Sequence, residues 1–146
     1  MPPVPPTKPS ILLLALDPVE RTAIRRALES QGFQVRESAG GLTLALVFFA
    51  EVPEVLITDV DAADPREIET VRLLRLGFPR IPIIGCCRAA EARQSTEAIR
   101  RLGLFAMFVK PVAVSDLIIA VHAALTHGLA AFASTETPVH ERWARP

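Results

Sequence analysis

The sequence carries no surplus of either charge. Sixteen Lys and Arg are matched by sixteen Asp and Glu. This argues against a nucleic-acid-binding domain, whose affinity rests on excess positive charge. Cysteine is scarce. Cys86 and Cys87 are the only two, too few for a disulfide scaffold or a four-ligand zinc site, and they suit a reducing cytoplasm. No apolar run reaches the ~18–20 residues of a membrane span. The first residues, Met1-Pro2-Pro3-Val4-Pro5-Pro6, have neither the charged nor the apolar region of a signal peptide. GxxxxGK, HExxH and GxSxG motifs are all absent, which removes the phosphate loop, the zinc protease and the nucleophile elbow. The expectation is a cytoplasmic globular domain that binds neither nucleic acid nor membrane.

Half of the 146 residues are hydrophobic and 22% are charged, enough to bury one domain core. Proline is abundant, with thirteen residues. Pro2, Pro3, Pro5, Pro6 and Pro9 mark residues 1–9 as an extended, proline-rich arm. Residues 134–146 are mostly polar and read as a tail, with Trp143 their only large apolar group. The chain therefore divides into an arm (1–9), a domain (10–128) and a C-terminal extension and tail (129–146).

Within the domain, strand-like and helix-like segments alternate. The run Ile11-Leu12-Leu13-Leu14-Ala15-Leu16 reads as a strand buried on both faces. Asp17-Pro18-Val19-Glu20 then opens a helix, with Asp17 as N-cap, Pro18 in the first turn and Glu20 in the capping-box position. Asp64-Pro65-Arg66-Glu67 repeats this start. Further strands are expected at 33–36, 55–58, 81–86 and 105–109. Further helices are expected at 42–50, from 64 to about 77, around Ala92, Ile99 and Leu102, and at 114–127, with Gly128 closing the last. Such alternation implies an α/β fold, a doubly wound five-stranded parallel sheet with five helices on its two faces. Ligands in such folds gather at the carboxyl ends of the strands. That criterion selects Asp59 and Lys110, which end different strands but face one crevice. They can form a buried ion pair, or a carboxylate nucleophile with a cation to bind a phosphoryl oxygen.

Segment 10–128 resembles the receiver domain of two-component response regulators, of the chemotaxis-regulator type. Pro53-Glu54-Val55-Leu56-Ile57-Thr58-Asp59-Val60 looks like the strand leading to the phospho-acceptor aspartate. Ile81-Pro82-Ile83-Ile84 resembles the fourth strand, and residues 103–111 resemble the family's Gly-Ala-x-x-Tyr-x-x-Lys-Pro ending. The resemblance implies the flavodoxin-like receiver fold. It makes Asp59 the phospho-acceptor, Lys110 its phosphoryl-binding partner and Pro111 the site of a cis peptide. It also implies a sensor histidine kinase, a phosphotransfer protein or another signalling protein as partner.

The departures are as informative. The family's Mg²⁺-binding acidic pair is replaced by Ala15 and Leu16. Mg²⁺ requires a near-octahedral set of oxygen ligands, and Asp59 with Asp61 supplies few. No cofactor is expected, and Mg²⁺ only weakly. The switch hydroxyl is replaced by Cys87 and the switch aromatic by Met107. The expectation is a degenerate receiver acting through protein contacts, impaired in Mg²⁺-dependent phosphorylation and not an enzyme. The alternatives are a working phospho-acceptor at Asp59 and a thiol sensor at Cys87. The thiol reading puts Cys87 across the crevice from Lys110, and Cys86 on the other side of the strand. The last helix has more apolar residues than one stripe needs, so Phe105, Ile118, Val121, Leu125 and Leu129 are expected to offer an interface for a second copy of the chain or for another protein.

Overall fold

The fold is taken from a computed structural model, which describes residues 8–14, 16–39, 51–60, 64–88 and 101–130. Five strands form one parallel sheet: β1 (Ser10–Leu14), β2 (Gln34–Ser38), β3 (Val55–Asp59), β4 (Ile83–Cys87) and β5 (Ala106–Val109). Their order across the sheet is β2-β1-β3-β4-β5, and every adjacent pair is parallel. Three helices lie among the described residues: α1 (Pro18–Ser30), α2 (Pro65–Gly77) and α3 (Val114–Ala130). The helix expected at 42–50 and most of the one before Gly103 fall outside those residues. So do Ala15, Asp61, the first seven residues and the tail with Trp143.

The strands are apolar on both faces because both faces are covered. One core combines Ile11, Leu13, Val55, Ile57, Ile84, Cys86 and Ala106 of the sheet with Ile24 and Leu28 of α1 and Leu117, Ala120, Val121 and Ala124 of α3. The other sets Leu12, Leu14, Leu56, Ile83, Cys87 and Met107 against Val71 and Leu74 of α2, with Leu102 and Leu104. α1 and α2 begin alike, as their repeated sequence requires. Asp17 accepts from the Val19 N–H at 3.0 Å, and Asp64 accepts from the Arg66 N–H at 2.9 Å. Each cap satisfies an amide that the helix itself leaves open. α1 is followed by Gly32 at φ +90°, a conformation that a side chain would strain.

Arg75, in the last turn of α2, fastens the opposite end of the sheet. Its guanidinium donates to the carbonyls of Ile81 (2.9 Å), Gly103 (2.9 Å), Pro79 (3.1 Å) and Leu102 (3.4 Å). Burial pulls its pKa below the ordinary value. The planar five-donor fork suits this task, because it can reach several fixed acceptors at once.

The structure corrects several expectations. β1 ends at Leu14, and Leu16 beyond it is buried in the α1–α3 core. β4 extends through Cys87, which fixes the faces of both cysteines. Gly128 does not close the last helix, which runs to Ala130. Leu76, which falls in the apolar pattern of the helix expected from 64 to about 77, is exposed. The expected interface loses its best members. Phe105 is buried and covered by His127, with ring centroids 5.6 Å apart. Val121 is wholly buried. Ile118 and Leu125 are half-buried and pack on the same core. α3 thus uses a wide apolar stripe against the sheet, central residues at three- and four-residue spacing and flanking ones beside them. The Leu129 side chain lies outside the described residues, and Ile119 is the exposed large apolar side chain of α3. No helix among the described residues is long and apolar enough to cross a membrane.

Candidate functional site

The site lies at the carboxyl ends of β3, β4 and β5. Asp59 is the last residue of β3 and pairs in register with Cys86. Past the strand ends the ladder continues. The Val60 N–H donates to the Cys86 carbonyl at 2.8 Å, and the Lys110 N–H donates to the Cys87 carbonyl at 2.7 Å. These bonds hold the Asp59 and Lys110 backbones on either side of β4. The Lys110–Pro111 peptide bond is cis.

Lys110 Nζ donates to Asp59 Oδ2 at 2.8 Å. It also lies 3.7 Å from Oε2 of Glu20, in the first turn of α1. That second separation is an ion pair without a hydrogen bond. The side chains are sheltered but not sealed, at 18% exposure for Lys110, 19% for Asp59 and 30% for Glu20. Asp59 Oδ1 and Glu20 Oε2 are buried and have no hydrogen-bond donor among the described residues. Burial disfavours the Lys110 charge, but the Asp59 hydrogen bond and the charges of Asp59 and Glu20 outweigh it and raise the pKa. The ammonium is therefore the form that belongs to this structure.

A cleft of about 430 Å³ opens above the cluster, lined by Leu16, Asp17, Asp59, Val60, Asp64, Glu67, Cys86, Cys87, Arg88 and Lys110. The N-termini of α1 and α2 both border it through their capping aspartates. A helix N-terminus attracts anions through its free amides and dipole. Here each start already holds a carboxylate of the chain itself.

The two cysteines exchange the places expected of them. Residues 57 and 59 of β3 share a face with 84 and 86 of β4, because partners in a parallel ladder point the same way and side chains alternate. Cys86 therefore feels Asp59, Lys110 and Glu20. Burial first, and the Asp59 charge second, push its thiol up to about 12. Cys87 is buried in the α2-side core with Leu14, Leu56 and Met107. Both are buried, and the Cys86 thiol is raised, whereas a redox sensor needs an exposed thiol of lowered pKa. Met107 is also buried there, directly across from Gly85. A Cβ on Gly85 would stand 2.9 Å from Met107 Sδ, so the glycine provides the space that the thioether occupies.

Solved structures with a similar fold share little sequence with this chain. A response regulator receiver domain protein from Clostridium thermocellum superposes with a TM-score of 0.72 at 21% identity, covering 84% of this chain and 98% of that one. A CheY-like receiver domain protein from Methanospirillum hungatei gives 0.74 at 19% identity, covering 86% and 99%. The fold is that of response regulator receiver domains. NtrX from Brucella abortus, solved with ADP, gives 0.77 at 16% identity. It covers 86% of this chain, and this chain spans only 29% of NtrX. No family model matches the chain, and no curated protein is similar to it in sequence.

The receiver resemblance implies Mg²⁺ beside the acceptor. Among the described residues the donor set does not fit that ion. At Leu16 an apolar side chain points into the core. Asp17 is engaged as a cap. Asp59 and Glu20 share an ammonium. Among the described residues no three His, Cys, Asp or Glu side chains come together as metal ligands.

Sequence reasoning singled out Asp59 and Lys110, and their side chains meet. It missed Glu20, which it assigned to a capping box. The only signal was the position of Glu20 one turn into a helix that begins at the crevice.

Proposed function

We propose that this chain is a receiver-fold signalling module that works through protein contacts, with Mg²⁺-dependent phosphorylation of Asp59 impaired. The observation that carries this reading is the Lys110–Asp59 hydrogen bond at 2.8 Å, in a site where Asp17 is used as a helix cap and Asp59 and Glu20 share one ammonium. Phosphoryl transfer to a carboxylate brings together two negatively charged groups, and a divalent cation is the usual neutraliser. With Mg²⁺ held weakly or not at all, the cation in contact with Asp59 is Lys110, and it is shared with Glu20. The module's output is then recognition of its surface by another protein. A sensor histidine kinase, a phosphotransfer protein, another signalling protein or a second copy of the chain would fill that role. It has no catalytic activity of its own in this reading.

A second reading keeps Asp59 as a working acceptor. What favours it is Asp59 Oδ1, which accepts no hydrogen bond among the described residues and borders the cleft. A small phosphodonor such as acetyl phosphate with Mg²⁺ at about 10–20 mM, high enough to fill a weak site by mass action, separates the two by intact mass. The first reading expects no phosphorylated species above that of Asp59→Ala. A substantial phosphorylated fraction in the wild type, absent in Asp59→Ala, supports the second.

A further inference from the structure

α2 carries two apolar stripes. Val71 and Leu74 are buried against the sheet. Leu73 and Leu76 lie on the outward face and stay 59% and 75% exposed. A lone exposed leucine is ordinary, but two at helical spacing on one outward face make a small patch. The residues around them complete a pattern. Arg66, Glu69, Leu73 and Leu76 follow one another at spacings of three, four and three, the spacing at which two helices meet along a seam. Arg80 stands four residues further on, in the turn after the helix, and all five are exposed. Glu69 lies 3.7 Å from Arg72 of its own helix. That pair is exposed and therefore weak, so Glu69 can exchange it for another cation.

Two copies of this seam can meet in two directions. With parallel helices Glu69 faces Glu69 and Arg66 faces Arg66, like charge on like charge, which disfavours that pairing. With antiparallel helices about a twofold axis between Leu73 and Leu76, each Leu73 faces Leu76 of the second copy. The same axis sets each Glu69 opposite Arg80 of the second copy. Four leucines then form an apolar centre between two pairs of opposite charge, which is the self-complementary patch that a twofold contact requires. We propose that the outward face of α2 is a homodimer surface, with the two helices antiparallel and Leu73 and Leu76 at its centre. This names a second copy of the chain as the partner and rests on the proposed function for its signalling role. α2 is 13 residues long, so the contact lies at or below about 1,200 Å² in total, among the transient interfaces, with a dissociation constant on the order of 0.1 mM. The same helix begins at the cleft, which Asp64 and Glu67 line, so the dimer face and the site share one rigid element.

Sedimentation velocity of the full chain across about 0.01–1 mM measures the association, and a ¹H–¹⁵N dilution series over the same range locates it. A monomer–dimer equilibrium is expected, with concentration-dependent shifts at the amides of residues 69–76 and of Arg80. Leu76→Glu should weaken association by at least about tenfold, because it places a charge where apolar groups meet. Glu69→Arg and Arg80→Glu should each weaken it by about three- to tenfold, the scale of two symmetry-related surface pairs, and the double variant should restore it. The substituted side chains are exposed, so urea midpoints near that of the wild type are expected and show that each variant folds. A monomer at about 1 mM overturns the proposal. So does a dimer that Leu76→Glu leaves unchanged, or one whose shifts gather on α3 around Ile119. A double variant no tighter than the single ones overturns the antiparallel pairing. Should Arg80→Glu fail to fold, Leu76→Glu and the dilution shifts still decide. None of these readouts involves phosphorylation. A phosphorylated Asp59 would contradict the proposed function and leave the dimer standing, whereas a monomer would overturn the dimer and leave that function with another protein as its partner.

Discussion

Replacing Lys110 by Met removes the charge while keeping most of the side chain's length and apolar stem. The loss can be scaled from the geometry. Breaking a fully buried ion pair by removing one partner costs ~3–5 kcal/mol, because the other charge stays behind in a poor solvent. Here the partners are sheltered rather than sealed, at 18% and 19% side-chain exposure, so water recovers part of that cost. Met also packs better than Lys. A loss of about 2–3 kcal/mol at pH 7 follows, nearer the buried than the exposed limit. For a domain of this size that corresponds to about 8–12 °C in melting temperature. Urea unfolding at pH 7 measures it directly, with the slope unchanged and only the midpoint moved. The pH dependence adds a second check. The folded pKa of Lys110 is raised above its ordinary 10.5. The pairing is therefore fully present below that value, and its contribution disappears as pH rises through the folded pKa. The gap between wild type and Lys110→Met should be widest near neutrality and narrow in strong alkali. A midpoint within ~0.5 kcal/mol of wild type at pH 7 would refute the claim that the pair is a substantial part of the site.

Cys86 reinforces the alkaline limit. Its thiol is raised from 9.0 to about 12 in the fold, so the native state keeps a proton that the unfolded chain loses, and stability falls as pH rises between those values. Cys86→Ala should flatten that part of the curve, and thiol reagents should modify neither cysteine at pH 7 until denaturant is added. Gly85→Ala should cost ~1–3 kcal/mol by overpacking against Met107 and Leu104, and Met107→Ala in the same chain should recover part of it in a double-mutant cycle. Arg75→Met should cost ~1–3 kcal/mol by leaving the part-buried Ile81 and Leu102 carbonyls without their donor, and Arg75→Lys should not restore it, since one ammonium cannot reach four carbonyls. Asp17→Ala and Asp64→Ala should each cost ~1 kcal/mol in urea melts through loss of a helix cap.

The alternation of strands and helices was legible because buried parallel strands leave continuous apolar runs, as in β1 and β3, and because Asp-Pro marks a helix start by its own local chemistry. The convergence of Asp59 and Lys110 followed from topology alone, since the carboxyl ends of parallel strands share one edge of the sheet. What stayed hidden depended on packing between elements. Glu20 fits a capping box by spacing, and only the seating of α1 on the sheet face that carries Asp59 sends it to Lys110. The faces of Cys86 and Cys87 rest on the β3–β4 register, and a one-residue change in alternation exchanges them. Val121 looked surplus because the apolar stripe of α3 is wider than the minimal one, and Phe105, just before β5, because only the seating of α3 brings His127 onto it. Gly128 lowers helix propensity but does not by itself turn the chain, and α3 continues through it.

The proposal that Mg²⁺-dependent phosphorylation of Asp59 is impaired is tested most directly with beryllofluoride, a mimic of the phosphoryl group, offered together with Mg²⁺. A ¹H–¹⁵N titration of the full chain with beryllofluoride at rising Mg²⁺ should leave the amides of Asp59, Val60, Cys86 and Lys110 in place up to ~10 mM. Saturable shifts at those amides with sub-millimolar Mg²⁺, lost in Asp59→Ala, would contradict the account.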